Sequence, residues 1–174
     1  IISSVFLIIS TILDAFKKSK INFARIISHI SFGFLIFFIG LNHNFSIEKD
    51  FNLKLGETKK IDNYNFELKD LKLQQYDNYK AVICKIQIRD LSTNKKRTLN
   101  PEIRIYDNPQ TLTYEASIKT NFFRDYYLTM SNIDRSDYYN IKFQKKPLMI
   151  WIWISVVLLS FGGFLSFIRN AKNN

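Results

Sequence analysis

Few residues in this chain are of a type that does cofactor chemistry, and one of them stands in an unusual place. His29 lies inside residues 26–41, IISHISFGFLIFFIGL, a run with no charged side chain. An ionisable residue within an apolar, membrane-length helix is expensive to keep there without a partner, so it marks a functional site by default. Neutral imidazole is a common metal ligand, which makes His29 a candidate axial ligand to a haem or metal inside a bilayer. At helical spacing its face is shared with Arg25, Ile26, Phe32 and Gly33, and Gly33 would leave room for a flat macrocycle one turn along. The alternative is a polar helix–helix bond, with Ser28 or Ser31 as the hydroxyl groups at hand. No second histidine lies within an apolar run.

The other reactive residues read more plainly. His43, in NHNF, follows the run as a solvated interfacial side chain. Cys84 is the only cysteine, which excludes an internal disulfide. It falls on the apolar face of a strand pattern and reads as a small buried hydrophobe. Asp134 and Asp137 lie in a polar turn. No Ser-His-Asp set, Gly-rich phosphate loop or Cys/His zinc spacing is present.

The elements that must position His29 follow from hydropathy. A spanning helix needs about 20 mostly apolar residues, so the run of 26–41 is extended at its start by Phe23 and Ala24, with Arg25 snorkelling. Residues 1–13, IISSVFLIISTIL, are uncharged but too short to span alone, and read as the end of a transmembrane helix; a buried core helix is the alternative. The chain begins with Ile inside this run, which suggests part of a longer protein. Residues 148–168, LMIWIWISVVLLSFGGFLSFI, form the strongest span, with Trp151 and Trp153 at its interfacial end and Gly162-Gly163 permitting close helix packing.

The net charge is +10, from 25 Lys and Arg against 15 Asp and Glu. It is spread as +3 in 14–25, +5 in 42–147 and +2 in 169–174, beside apolar runs rather than in one patch. That distribution fits membrane topology and argues against nucleic acid as a partner. The 16 Phe and 9 Tyr are divided between helices and strands, as core rather than as a base-stacking platform. Residues 14–25 then read as a cytoplasmic basic loop and 169–174 as a cytoplasmic tail. Residues 42–147 lie on the far side.

That middle segment alternates apolar and polar residues in short runs: FNLKL, YNFELKDL, AVICKIQIR, EIRIY, TLTYEASI, RDYYLTM and YYNIKF. In AVICKIQIR, Val82, Cys84, Ile86 and Ile88 share one face. Period two with intervening turn residues predicts seven or eight strands in one small all-β barrel or sandwich. The fold class is therefore a polytopic α-helical membrane protein fragment with an inserted small all-β domain.

Several stretches resemble the C-terminal end of the CcmF family, the haem lyase subunits of bacterial cytochrome c maturation, and their nitrite-reductase-type relatives. The matching positions are Pro101-Glu102, Arg104, Tyr106, Thr113, Glu115-Ala116, Arg124-Asp125, Tyr127, Lys146-Pro147 and Trp151-Ile152-Trp153. His29, preceded by Ser28 and followed by a helix of small and apolar residues, looks like a transmembrane histidine of that family. The family pattern departs at Ser28, where a smaller apolar residue is expected.

The resemblance implies a bacterial inner membrane location, multi-pass, with 42–147 in the periplasm. It implies b haem as cofactor, with His29 as axial ligand to its iron. It also implies partners: other cytochrome c maturation subunits, a haem chaperone and apocytochrome c. The implied activity is haem lyase chemistry of the holocytochrome c synthase type, carried by the complete protein, with no catalytic residue in this part and no activity expected from it alone. The family's tryptophan-rich WWD segment, its flanking histidines and the partner of His29 are not in this sequence, and Trp151-Ile152-Trp153 lacks the aspartate and context of that motif. A membrane-anchored periplasmic assembly scaffold without haem, or a subunit whose His29 serves proton or quinone chemistry, are the rival readings.

Overall fold

The computed structural model describes residues 1–17, 22–132 and 137–173; part of the expected 14–25 loop and Asp134 lie outside the described residues. The chain divides into two compact units, a helical one of Ile1–Ser46, Asn121–Arg124 and Lys146–Asn174, and a β unit of Ile47–Thr120 and Asp125–Lys145.

The helical unit contains α1 (Ile2–Lys17), α2 (Phe23–Phe45) and α3 (Met149–Asn173). Helix α2 packs against both others. Its 23 residues span about 34 Å at 1.5 Å per residue. Phe23–Phe45 and Met149–Arg169 are long and apolar enough, by length and composition, to cross a membrane. Helix formation runs further than the apolar runs do. Asp14 to Lys17 belong to α1 and Phe23 to Arg25 to α2, so most of the described part of the expected 14–25 loop is helical. His43 is in the last turn of α2 rather than beyond it, and α3 continues through most of the expected tail, 169–174. The cause is local: a helix ends where its backbone groups find caps, not where hydropathy changes. The Asn22 side chain accepts from Arg25 N–H at one end of α2, and Ser46 donates its N–H and hydroxyl to the Asn42 carbonyl at the other.

Burial in this unit is inverted relative to a water-soluble bundle. The residues packed between helices are small or hydroxylated: Ser4 and Thr11 on α1, Ala24, Ser31 and Gly33 on α2, Ser155 and Gly162 on α3. The large apolar side chains face outward, with Ile2 88% and Phe16 85% exposed. Three of the buried hydroxyls are satisfied within their own helices, Ser4 on the Ile1 carbonyl (2.6 Å), Thr11 on Leu7 (2.7 Å) and Ser155 on Trp151 (2.8 Å).

The β unit is a sandwich, not a closed barrel. Its strands are β1 (Ile47–Lys54), β2 (Thr58–Ile61), β3 (Tyr64–Gln75), β4 (Tyr79–Asp90), β5 (Lys96–Leu99), β6 (Glu102–Asp107), β7 (Gln110–Glu115), β8 (Ser117–Thr120), β9 (Arg124–Asn132) and β10 (Tyr138–Pro147). One sheet has the order β1-β10-β9-β8; the other runs β2-β3-β4-β6-β7, with β5 also paired to β4. Ladder partners are antiparallel, Phe51 opposite Ile141 and Phe66 opposite Ile88 among them.

Period-two alternation builds the core. Phe51 and Leu53, Tyr64, Phe66 and Leu68, Cys84, Ile86 and Ile88, Tyr126, Leu128 and Met130, Ile141 and Phe143 all turn inward. A bulge between Leu68 and Asp70 then shifts the phase of β3, so that Leu71 continues the apolar face. Aromatic rings join the sheets across the interior: Phe66 meets Phe51 at 4.7 Å and Phe143 at 5.0 Å between ring centroids.

Among the described residues ten strands stand where seven or eight are expected. Two of the additional ones, β2 and β5, are four residues each and mostly polar, so they carry no hydrophobic period. A third arises because TLTYEASI is two strands. Tyr114 pairs with Ile103 in one sheet, whereas Ile118 pairs with Tyr127 in the other.

Candidate functional site

His29 is the seventh residue of α2, about 9 Å along its axis from Phe23. Its helix begins at the Asn22 cap, and Arg25, one turn before His29, lies 4.0 Å from the Asp14 carboxylate of α1. Both members of that pair are well exposed, so it adds little to stability.

His29 stands exposed at an apolar groove of about 360 Å³, with Ser28 and Phe32 from α2, Leu7 from α1 and Leu159 from α3. The volume is within the range of small-ligand sites, about 300–1,000 Å³. Among the described residues the imidazole has no hydrogen-bond partner. Neither Ser28 nor Ser31 therefore holds it within this unit. Ser28 instead lies against Gly162 of α3: a Cβ built on that glycine would meet Ser28 Oγ at 2.5 Å and the Ser28 backbone nitrogen at 2.9 Å. The absence of a side chain at Gly162 is what lets the two helices approach so closely there. Gly163, by contrast, faces open space.

Gly33 does not provide the expected room. Ile8 of α1 fills the space above it, 2.6 Å from where a Cβ would stand. The open side of His29 is bounded instead by Phe32, Leu7 and Leu159. The sequence pointed to the histidine and to Phe32 but not to Leu7 or Leu159, which lie 22 residues before and 130 after it. Only helix packing brings them together.

Were a haem to bind at this groove, His29 would supply one half of its ligand set. An imidazole beside apolar, partly aromatic walls is the kind of donor that would hold a haem from one side. His43, the other histidine, is 14 residues further along α2, about 21 Å by helical rise, and so does not share the groove. Among the described residues no group of three His, Cys, Asp or Glu could hold a metal ion.

Among its described residues the β unit offers no comparable centre. Cys84 is fully buried in the sandwich core, as its strand pattern predicts, and burial pushes its thiol up to about 12. A thiol held neutral in this way is neither nucleophile nor ligand. Asp125 is also buried, which raises its carboxyl above the usual range even though Thr120 and Tyr127 hydrogen-bond to it.

Comparison with known proteins places this architecture. The model of the CcmF C-terminal beta-sandwich family matches residues 44–147. The cytochrome c-type biogenesis protein CcmF of Haemophilus influenzae is 26% identical over 149 residues, which is 86% of this chain and 23% of that protein. CcmF of Escherichia coli is 26% identical over 139 residues, 79% of this chain and 21% of that one. The probable cytochrome c-type biogenesis protein NrfE of Escherichia coli is 28% identical over 127 residues, 73% of this chain and 23% of that protein. A solved structure described as cytochrome c heme lyase CcmF superposes with a TM-score of 0.69 at 13% identity, covering 93% of this chain and 28% of that one, a likeness of fold. The chain thus spans about a quarter or less of the curated relatives it matches. With the family's β-sandwich matched over more than half of its length, the chain belongs to the CcmF C-terminal beta-sandwich family.

Proposed function

We propose that this chain is the membrane-embedded C-terminal part of a cytochrome c biogenesis protein, with His29 as one axial ligand to a b haem. The observation that carries the reading is the unpartnered imidazole of His29 at an apolar groove, on a helix long enough to cross a bilayer. Small and hydroxylated residues between helices, with large apolar side chains outside, support the membrane setting, because lipid removes the reason to bury Phe and Ile. In that reading α2 and α3 cross the membrane, the chain between α1 and α2 and the end of α3 face the cytoplasm, and the sandwich faces the periplasm of a bacterial inner membrane.

The chain's own residues have limited work to do. His29 lines the groove. Phe32, Leu7 and Leu159 keep water from one side of it, and Ser28 against Gly162 holds the helix that carries it. A haem bound there would supply one-electron redox chemistry, with a potential set by ligand and burial. The second axial ligand would come from outside the groove described here. The sandwich, with its period-two core, would offer docking surface: other maturation subunits, a haem chaperone and apocytochrome c are the partners this reading implies. Covalent attachment of haem to apocytochrome c would be the work of the complete protein.

The test is a reduced-minus-oxidised visible spectrum of the complete protein in detergent, native beside His29→Ala. Sharp b-type bands that weaken or vanish in the variant at equal protein yield support the ligand. Identical spectra, or no haem in either, refute it and leave a scaffold role.

A further inference from the structure

The tip of the β8–β9 hairpin, Asn121–Arg124, belongs to the helical unit, and it exposes two adjacent aromatic side chains, Phe122 at 51% and Phe123 at 63%. The loop that carries them is internally tied. The Asn121 side-chain oxygen accepts from the N–H groups of Phe123 (3.0 Å) and Arg124 (2.9 Å), and the Asn121 N–H donates to the Arg124 carbonyl (3.1 Å). The Phe123 carbonyl accepts from Leu148 N–H at 2.9 Å. Leu148 has a φ of +59°, a left-handed conformation that a leucine adopts only when its surroundings hold it. Its carbonyl caps the start of α3 by accepting from Trp151 and Ile152.

Phe122 packs edge-on against Trp151, 4.8 Å between centroids, and Trp151 stacks on Phe38 of α2 at 5.7 Å. The tip is thus level with the first turn of α3 and, through the bond from the Asn42 side chain to the Pro147 carbonyl, with the last turns of α2. Phe45 and Trp153 are strongly exposed at the same end.

We propose that Phe122 and Phe123 are a lipid-binding tip, inserted at the headgroup–acyl boundary beside α2 and α3. The inference rests on the membrane reading of those helices. Aromatic side chains collect at that boundary because one end of each meets apolar chains and the other a wet layer. Two features favour lipid over a protein groove. Entering an apolar medium is costly for backbone groups without partners, and most of this tip's amides and carbonyls are already bonded within the unit. The basic residue Arg124 directly follows Phe123, and Lys146 lies two residues before Leu148, whose N–H bonds the tip, which suits anionic headgroups.

The test uses added cysteines, because native Cys84 is buried and does not compete for a maleimide label. Phe123→Cys, Val157→Cys on α3 and Leu73→Cys on β3 are each labelled with bimane in the full chain. The chain is reconstituted in phosphatidylcholine–phosphatidylglycerol vesicles, with nitroxide lipids carrying the quencher near the headgroup or deep in the acyl chain. Phe122→Cys is the second tip probe. Phe123 touches Phe122 edge-on, so its loss leaves the Phe122–Trp151 pair in place. The expected result is strong quenching at 123 by the shallow nitroxide, quenching at 157 by the deep one, and none at 73. If 157 is quenched but 123 and 122 emit as in water, or are shielded yet unquenched, the tip does not meet lipid and the inference falls while the membrane reading stands. If 157 is also unquenched, the membrane reading falls and takes the inference with it.

Discussion

The adjacent glycines of α3 offer a controlled perturbation, because the fold uses one and leaves the other free. A methyl group at Gly162 would stand 2.5 Å from Ser28 Oγ, 2.9 Å from the Ser28 backbone nitrogen and 3.1 Å from Ile27 Cγ2. The hydroxyl can rotate away, but the backbone cannot. Against an optimal carbon separation of about 3.5–4.0 Å, α2 and α3 must part by at least about half an ångström. Overpacking of this kind costs about 1–3 kcal/mol. At Gly163 the same methyl group meets nothing within 4 Å. Both substitutions remove the same helix penalty of glycine, about 1 kcal/mol, so that contribution cancels between them. Gly162→Ala is therefore expected to be about 1–3 kcal/mol less stable than Gly163→Ala. At about 2–4 °C per kcal/mol for a chain of this size, the thermal midpoints in detergent should separate by about 2–12 °C, Gly163→Ala being the higher. Far-UV circular dichroism on matched preparations reads the difference. Equal midpoints, or a lower one for Gly163→Ala, would refute the Ser28–Gly162 crossing and with it the geometry assigned to the His29 groove.

Two further outcomes concern the β unit. Phe66 is fully buried and touches the rings of Phe51, Tyr64 and Phe143, so Phe66→Ala should cost about 3–5 kcal/mol, seen as an earlier loss of the near-UV aromatic signal on urea titration of the full chain. Leu73→Ala, at an exposed position of β3, should leave that transition in place. The thiol of Cys84 rises from an ordinary value near 9 to about 12 on folding. Between those values the unfolded chain loses its proton and the folded chain keeps it. Stability is therefore intact below about pH 9 and falls by up to about 1.4 kcal/mol per pH unit above it. Cys84→Ala should flatten that slope, and maleimide should label Cys84 at neutral pH only after the chain is unfolded.

How far the sequence reached depended on whether the signal was local. The apolar runs at 26–41 and 148–168 marked α2 and α3, because span length and absence of charge are properties of one segment. The β core was legible from period two wherever a strand had an apolar face: Cys84, Ile86 and Ile88 turn inward as their alternation requires. His29 stood out as an ionisable residue in an apolar run, and the resemblance that named its family rested on short runs whose order is a property of the chain itself.

Other features depend on contacts between distant segments, and only the tertiary structure decided them. The polar strands β2 and β5 exist because β3 and β4 offer them hydrogen-bonding edges, not because of any pattern of their own. TLTYEASI alternates without a break, yet Tyr114 and Ile118 lie in different sheets, since pairing is chosen by the partner strand. Gly33 looked like room for a macrocycle, but Ile8 of α1 fills the space above it, and nothing in the sequence pairs Ser28 with Gly162, which packing places against it. Composition and periodicity describe which face of an element is apolar; what fills that face is set by close packing between segments far apart in the chain.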